Sequence, residues 1–336
     1  DAERVIARLP GPPYQFLDRI TSIENCEPWQ LKAGAIIEAE YEVPEDAWYF
    51  ASDRQSRMPF AVLLEVALQP CGWLAAYLGS ALTSDTDLSF RNLGGKASRF
   101  LDVTPETGTL VTKVKMTDVS RSGGMIIQNF DFEVSCDKGI VYAGDTYFGF
   151  FSKEALANQV GIRDLVPYES DPAARTHCQS FPYPLQAPYP EDRLRMVDQI
   201  DLFDPAGGPH GLGFIRGTTR VDADAWFFRA HFYQDPVWPG SLGLESFLQL
   251  LKVVAMARWQ GDCDPEDCQF ESMAHGAQHG WVYRGQIIPP DKEVMVQSVI
   301  TGVEDAEKRL CAGGILTVDG RIIYQMSDFT LRMITR

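Results

Sequence analysis

The stretch AHFYQDPVWPGSLGLESFLQL, residues 230–250, joins a polar loop to the start of an apolar helix. His231 stands in the loop, Pro239-Gly240 follows it, and Glu245 lies inside the apolar run, fourteen residues after the histidine. A helix that is apolar on nearly every face is one that a protein buries. A carboxyl group in such a helix is costly unless it is paired or protonated, so we expect an acid there to have a chemical function.

The same pattern occurs twice in the 336 residues, at an offset near 180. MPFAVLLEVALQ at 58–69 resembles WPGSLGLESFLQ at 238–249, and Asp-Ala-Trp occurs in both halves. Each apolar helix contains Glu-x-x-x-Gln, as Glu65 with Gln69 and as Glu245 with Gln249. A period of about half the chain indicates a duplicated domain and not a solenoid.

Both halves also share an order of elements: a strand-like stretch, the Asp-Ala-Trp segment, the apolar helix and an antiparallel meander. The strands are predicted at 35–43, 109–119, 125–135 and 140–151, and at 211–221, 293–303, 309–318 and 321–334. Residues 152–190 are rich in proline and form the predicted linker between domains 1–151 and 191–336. We expect an α+β fold in which each sheet wraps round its long helix. The halves would then pair edge to edge or helix to helix as a pseudo-dimer.

The bulk composition excludes several classes of function. A net charge of −16 and a pI of about 4.7 argue against nucleic acid and against an anionic membrane surface. The segment 60–82 is apolar enough to be mistaken for a membrane span, but Glu65, Gln69 and Pro70 within it favour a buried helix, so no span is expected. Seven scattered cysteines are interpreted as reduced thiols, which predicts a cytoplasmic protein. Since the chain begins at Asp1 without methionine, we expect it to be part of a longer polypeptide.

The 230–250 stretch resembles the active-site segment of the β-hydroxyacyl-acyl-carrier-protein dehydratases of bacterial fatty acid synthesis, which have the hotdog fold. The similarity covers His231, the triplet Asp235-Pro236-Val237, Pro239-Gly240 and the acid fourteen residues after the histidine. The sequence PGSLGLE is most similar to the dehydratase/isomerase branch, although that branch usually has Asp where Glu245 stands. Two such units in one chain resemble the dehydratase region of polyunsaturated fatty acid synthases, which are related to polyketide synthases. The resemblance implies a double hotdog.

The resemblance also implies a mechanism that the residue types support. Dehydration of a 3-hydroxyacyl thioester needs a base for the C2 proton, which suits His231, and a protonated acid for the C3 hydroxyl. Burial in an apolar helix raises the pKa of a glutamate, which suits Glu65 or Glu245. Residues expected to contact substrate are Trp238, Pro239, Gly240, Gln69 and Gln249, with the Gly240 N–H near the thioester oxygen. The substrate would be carried on the phosphopantetheine of an acyl carrier protein tethered in the same synthase, and no other cofactor is expected.

In this family each site takes its histidine from one hotdog and its acid from the other. The first half contains no histidine, and the position of His231 falls on Asp53 when the Asp-Ala-Trp segments are aligned. Phe60 also replaces the equivalent of Gly240. We therefore predict one working site, His231 with Glu65, and one degenerate site. If the cross-domain rule does not hold, Glu245 is the acid.

Other functions remain open at this stage. An enoyl-thioester hydratase or an isomerase would use the same fold, a thioesterase fits the spacing less well, and a non-catalytic carrier-binding or scaffolding module is the alternative of another class. His275 and His279 are four residues apart, like metal ligands on a helix, but glycines flank them and the glutamate of a metalloprotease motif is absent. No metal site is therefore expected.

Overall fold

The computed structural model describes residues 4–170, 178–259 and 261–335, so part of the predicted linker, 171–177, lies outside the described residues. The first half contains strands β1 (Arg19–Glu24), β2 (Ile36–Glu42), β3 (Ser89–Arg99), β4 (Thr109–Ser122), β5 (Met125–Cys136) and β6 (Gly139–Phe151), and helices α1 (Trp48–Asp53), α2 (Phe60–Tyr77) and α3 (Lys153–Ala157). The second half contains β7 (Gln179–Pro182), β8 (Gln199–Asp204), β9 (Phe214–Arg220), β10 (Cys268–Ser272), β11 (Gln278–Tyr283), β12 (Glu293–Glu304), β13 (Arg309–Val318) and β14 (Arg321–Thr335), with helices α4 (Trp226–Ala230) and α5 (Gly240–Arg258) and a 3-10 turn at Asp305–Glu307.

The strands of the described residues form one antiparallel sheet that crosses both halves. Its order is β1-β2-β4-β5-β6-β3-β11-β14-β13-β12-β9-β8-β7, and β10 pairs with β14. The halves meet where β3 pairs with β11, with Ser98 opposite Gln278 and Gly94 opposite Val282. The two long helices also pack against each other, and each packs against the strands of its own half. Edge-to-edge and helix-to-helix pairing therefore occur together.

Helix α2 is buried along nearly its whole length because it is apolar on most faces. Its interior Pro70 has no N–H and leaves the carbonyl of Val66 without a helical partner. The Thr112 hydroxyl of β4 donates to that carbonyl at 3.3 Å. The sheet thus satisfies the group that the proline frees, and the helix continues to Tyr77.

Glutamine side chains tie both long helices to the chain segment that precedes β1 or β8. Gln69 accepts from the Phe16 N–H at 2.7 Å and donates to the Tyr14 carbonyl at 2.9 Å. Gln249 repeats these bonds with the Met196 N–H at 2.9 Å and the Leu194 carbonyl at 2.7 Å. Each partner lies 180 residues from its counterpart, so the duplication seen in the sequence extends to individual hydrogen bonds.

Helices α2 and α5 are both long and apolar enough to cross a membrane by length and composition, but 83% of the 18-residue apolar window of each is buried inside the protein, which is what core helices show. The predicted linker contains α3 and the edge strand β7. Cys263 and Cys268 form a disulfide, with Cα atoms 5.7 Å apart, so the interpretation of seven reduced thiols is wrong for these two, which the loop before β10 brings together.

Candidate active site

A cavity of about 80 Å³ lies where the two halves meet. The middle of α2, the start of α5, strand β3 and the segment that follows β11 form its walls. It contains both acidic and basic groups within a mostly apolar surface. Its lining residues are Leu9, Pro10, Glu65, Leu68, Gln69, Gly72, Phe90, Arg91, Asn92, Phe148, His231, Phe232, Val237, Trp238, Gly240, Ser241, Tyr283, Gly285, Gln286 and Tyr324.

Glu65 projects into this cavity from α2 with both carboxylate oxygens held. The Ser241 hydroxyl donates to Oε1 at 2.6 Å, and the Gln69 amide donates to Oε2 at 3.0 Å. Burial raises the pKa of Glu65 above its ordinary value, and the two hydrogen bonds oppose that rise only in part. The site can therefore hold Glu65 in its protonated form, in a fixed orientation.

His231 reaches the same cavity from the end of α4. Its Nδ1 lies 3.0 Å from the Val237 carbonyl oxygen, which can only accept, so Nδ1 carries the hydrogen and Nε2 has a free lone pair. Burial lowers the pKa of His231 to about 4, and the ring is neutral at pH 7. Within the described residues Nε2 has no hydrogen-bond partner, so it is available as a base.

The loop that contains His231 is tied to the other half by a partly buried ion pair. Arg91 of β3 makes two 2.8 Å bonds to the carboxylate of Asp235, and its Nε donates to Gln286 at 2.8 Å. Such a bidentate pair fixes direction as well as distance. Asp235 therefore holds the loop in place, and Arg91 brings a positive charge to the cavity wall.

The start of α5 forms a polar corner of the cavity. A Cβ on Gly240 would lie 2.7 Å from the ring of Tyr283, so the glycine makes room for that ring. In the described part of the chain the Tyr283 hydroxyl and Trp238 Nε1 are buried without a hydrogen-bond partner. The N–H groups of Gly240 and Ser241 are also free there, as the first N–H groups of a helix are. This corner offers several donors to a ligand oxygen.

The equivalent place in the other half contains paired charged side chains instead of an acid and a neutral base. Asp53 ends α1 as His231 follows α4, and its Oδ1 lies 2.6 Å from Lys252 Nζ. Lys252 Nζ also lies 3.6 Å from Glu245 Oε1, and all three side chains are buried. We call Asp53, Lys252 and Glu245 the ion triad.

The structure thus separates the predicted site residues into two groups. Glu65, His231, Gln69, Trp238 and Gly240 line one cavity. Three others do not line it: Glu245 faces Lys252, Gln249 holds the backbone at 194–196, and Pro239 is the residue before the first turn of α5.

Several residues of the cavity were not singled out in the sequence. Ser241 stood in the quoted stretch without a role, although its place beside Gly240 was a usable signal. Arg91 and Tyr283 lie outside the repeated motif, and only the pairing of β3 with β11 brings them to the site. Tyr14 does not line the cavity, but its hydroxyl lies 2.9 Å from that of Ser241.

The two histidines spaced four apart do not share a site. His279 is buried and its Nε2 lies 3.0 Å from the Tyr142 hydroxyl. His275 lies 3.2 Å from Asp102 and 3.2 Å from Arg99. Asp102, Glu271 and His275 are close enough to hold an ion, but Arg99 Nη2 is 2.9 Å from Asp102 and supplies the positive charge there.

Comparisons with known proteins agree with this duplicated architecture. A family model for the FabA-like domain matches residues 9–145 and 189–327. One polypeptide of the polyunsaturated fatty acid synthase of a Thraustochytrium species is 31% identical over 339 aligned residues, covering 92% of this chain and 22% of the relative. The chain therefore spans about a fifth of that relative's length.

Solved structures show the fold independently of sequence. The CurJ dehydratase matches with a TM-score of 0.53 at 13% identity, covering 95% of this chain and 96% of the other. An oleoyl thioesterase from Lactobacillus plantarum matches with a TM-score of 0.53 at 9% identity, covering 90% and 97%. Because identities this low show a shared fold and no more, the choice between the two activities has to come from the site.

Proposed function

Since the chain belongs to the FabA-like family and has its hotdog fold, we propose that it is a dehydratase that converts 3-hydroxyacyl thioesters into trans-2-enoyl thioesters. The two halves would be two hotdogs in one pseudo-dimer. The observation that supports this most is that Glu65 of the first half and His231 of the second line one cavity. A buried acid and a neutral imidazole facing one space are what the elimination of water needs.

His231 would begin the reaction. Its Nδ1–H is engaged by the Val237 carbonyl, so Nε2 takes the proton from C2. The electron pair of the C2–H bond forms the C2–C3 double bond. The charge of Asp235 favours the resulting imidazolium, and the Arg91 guanidinium on the cavity wall opposes it.

Glu65 would complete the reaction by giving its proton to the C3 hydroxyl as the C3–O bond breaks. The hydroxyl leaves as water, and the carboxylate that remains is stabilised by Ser241 at 2.6 Å and Gln69 at 3.0 Å. Transfer of a proton from His231 back to Glu65 through water restores both groups. The reverse sequence is the hydration of an enoyl thioester, with the roles exchanged.

The thioester oxygen gains negative charge as the C2 proton leaves, and the polar corner at the start of α5 would stabilise it. The free N–H groups of Gly240 and Ser241 lie at the positive end of a 19-residue helix. The Tyr283 hydroxyl and Trp238 Nε1 are further donors without a partner among the described residues.

We further propose that the molecule has one working site. Asp53 stands where the other half has His231 and is paired with the Lys252 ammonium, and the first half contains no histidine to act as the base. The substrate would arrive on the phosphopantetheine of an acyl carrier protein, tethered within a cytoplasmic multidomain synthase, as the synthase context of the Thraustochytrium relative suggests. A tethered carrier needs little docking affinity, which suits a chain of net charge −16.

The test is an assay of wild type, His231→Ala, Glu65→Gln and Glu245→Gln on a short trans-2-enoyl pantetheine thioester, in the hydration direction. We expect wild type and Glu245→Gln to turn over, and the other two variants to lose at least about a hundredfold in kcat/KM. Thermal unfolding of each variant shows whether it is folded.

Three results would overturn the proposal. Loss of activity in Glu245→Gln with retention in Glu65→Gln would move the acid to the other helix. The shared fold with an oleoyl thioesterase makes thioester hydrolysis the second candidate. Release of free thiol from oleoyl pantetheine, with no hydration of the enoyl substrate, would establish it. Absence of both reactions on pantetheine and carrier-bound substrates would establish a non-catalytic module.

A further inference from the structure

Gly72 and Lys252 occupy equivalent positions on the two long helices. The offset of 180 that relates Glu65 to Glu245 also relates Gly72 to Lys252. In the second half the Lys252 side chain is buried and occupies the interior as part of the ion triad. In the first half the position has no side chain, and Gly72 lines the cavity. At this position the first half, which we call the open half, has glycine, and the second half, which we call the filled half, has lysine.

Gly72 also stands where two cavities meet. A smaller apolar cavity adjoins the one that contains Glu65, and the two share a wall of three residues, Leu9, Gly72 and Phe90. Beyond these, the smaller cavity is lined by Ala7, Arg8, Ala76, Ala81, Leu82 and Phe150. Leu9 and Phe90 pack over Gly72 between the two cavities, and we call this place the Gly72 gap.

The Gly72 gap is narrow enough for one methyl group to matter. A Cβ on Gly72 would lie 3.0 Å from Leu9 Cδ2 and 3.1 Å from Phe90 Cε1, closer than side-chain carbons normally pack. Both contacts are with the tips or ring edges of apolar side chains. A substituent at this position would push into the gap from the helix side.

The residue spacing along α2 sets the distance between the Gly72 gap and the reacting groups. Glu65, Leu68, Gln69 and Gly72 all line the main cavity and follow helical spacing along one face of α2. Seven residues separate Glu65 from Gly72, which is about 10 Å along the helix axis. A short acyl chain held at Glu65 ends before this point, and a long one must pass it.

We propose that the Gly72 gap admits the tail of long acyl chains into the smaller cavity, and that the absence of a side chain at residue 72 sets the longest acyl group the site accepts. This inference rests on the proposed function for its substrate class. It assigns the smaller cavity to the apolar end of an acyl chain.

The experiment compares wild type, Gly72→Ala and Gly72→Val on enoyl pantetheine thioesters of four and twelve carbons. The expected result is that the twelve-to-four-carbon ratio of kcat/KM falls by about tenfold or more in Gly72→Ala and further in Gly72→Val. Gly302→Ala is the matched control, because its Cβ would meet only Cys311 Cβ at 3.4 Å, far from the cavity on β12. Its ratio should equal that of wild type.

A second measurement keeps this test independent of turnover. Binding of the saturated butanoyl and dodecanoyl pantetheine thioesters is measured by calorimetry, and Gly72→Ala should weaken only the longer one. An unchanged chain-length ratio in both kinetics and binding would overturn the inference, as would a wild type that prefers the four-carbon ligand. A wild type that binds dodecanoyl pantetheine but performs no chemistry would refute the proposed function and leave the Gly72 gap in place.

Discussion

The ammonium group of Lys252 lies 2.6 Å from the carboxylate of Asp53, at the place where the other half of the molecule presents His231. Two acids and one cation are buried there, and burial raises the pKa of Glu245 to about 7. The duplication has therefore kept an acid in both halves and changed what faces it. In one half the acid faces a base and an open cavity, and in the other it faces a lysine that is part of the core.

Replacing Lys252 with methionine should destabilise the protein strongly at high pH. The substitution leaves Asp53 and Glu245 buried without a cation, which lowers the free energy of unfolding by about 3–5 kcal/mol. A carboxyl group with a raised pKa contributes stability that is complete below its ordinary value of 4.5 and is lost as pH rises through about 7. Urea unfolding should therefore show a larger loss at pH 8 than at pH 5.5.

The control for this prediction is Lys308→Met, which removes a partly exposed pair with Asp262 at 3.2 Å. It should change the free energy of unfolding by less than about 1 kcal/mol. A Lys252→Met variant as stable as wild type at pH 8 would show that the ion triad contributes nothing to folding. Activity is a separate readout, since the triad lies outside the cavity.

The pH profile of dehydration should have an acid limb well below the ordinary pKa of histidine. His231 has to be neutral to take the C2 proton, and burial lowers its pKa to about 4. The rate should therefore hold down to about pH 5 and fall below that. Glu65 has to be protonated, and because burial raises its pKa the alkaline limb should lie above the range of an exposed glutamate. Measurement of kcat/KM for a 3-hydroxyacyl thioester from pH 4 to 9 checks both limbs.

The folding stability of the protein also changes with pH, and unfolding at low pH would lower the measured rate. A histidine whose pKa is depressed in the folded state contributes stability that is present above 6.5 and is lost as pH falls toward 4. Buried His279, with a pKa lowered to about 3, adds to the same loss. Near-UV circular dichroism at each pH separates unfolding from titration. An acid limb near 6.5 in folded protein would contradict the buried environment of His231.

Much of the fold could be predicted from alternation and repetition. The meander strands β4, β5 and β6 occur within three residues of their predicted ends, because one face of each is regularly buried. Strand β3 is not predicted, because Gly94 and Gly95 interrupt its pattern. A Cβ on Gly95 would lie 2.6 Å from the Trp281 ring, so that glycine serves a contact with β11, which no local pattern reveals.

The site could be predicted only where its residues lie within a motif. The spacing of His231 and the position of Glu65 in the repeat pointed to both residues before any geometry was known. The role of Lys252 could not be predicted, because its partner Asp53 is 199 residues away. A lysine in an apolar helix does not by itself indicate which group it pairs with. Arg91 was hidden for the same reason.

Removing the Ser241 hydroxyl should weaken the acid without removing it. Ser241 donates to Glu65 at 2.6 Å, and the equivalent position in the first half is Ala61. A hydrogen bond to a charged group contributes about 1.5–3 kcal/mol, so Ser241→Ala should lower kcat/KM for dehydration by about ten- to a hundredfold. The alkaline limb should move to higher pH, because the ionised form of Glu65 loses a donor.

Tyr14→Phe is the matched variant for Ser241→Ala. It removes the hydroxyl that lies 2.9 Å from Ser241 and leaves the bond from Ser241 to Glu65. Its effect on kcat/KM and on the alkaline limb should be the smaller of the two. Equal effects would mean that the two hydroxyls act as one unit, and an unchanged limb in Ser241→Ala would show that this bond does not set the ionisation of Glu65.

Arg91 should act on His231 through geometry and through charge, and two substitutions separate these effects. Arg91→Lys keeps the charge but loses the two 2.8 Å bonds to Asp235, so kcat/KM should fall about tenfold with the acid limb in place. Arg91→Gln also removes the positive charge that helps to depress the pKa of His231 and leaves Asp235 unopposed. Its acid limb should move to higher pH.

The acid limbs of Arg91→Lys and Arg91→Gln, compared with each other, show how the two halves cooperate. Arg284→Lys serves as the control, since Arg284 directly follows β11 and bonds the Leu93 carbonyl and the Tyr147 hydroxyl but no acid. It should leave the acid limb where it is in wild type. If Arg91→Gln does the same, the first half only supports the loop of His231. If the limb moves, the first half supplies both the acid and part of the field that keeps the base neutral, and neither half would be active alone.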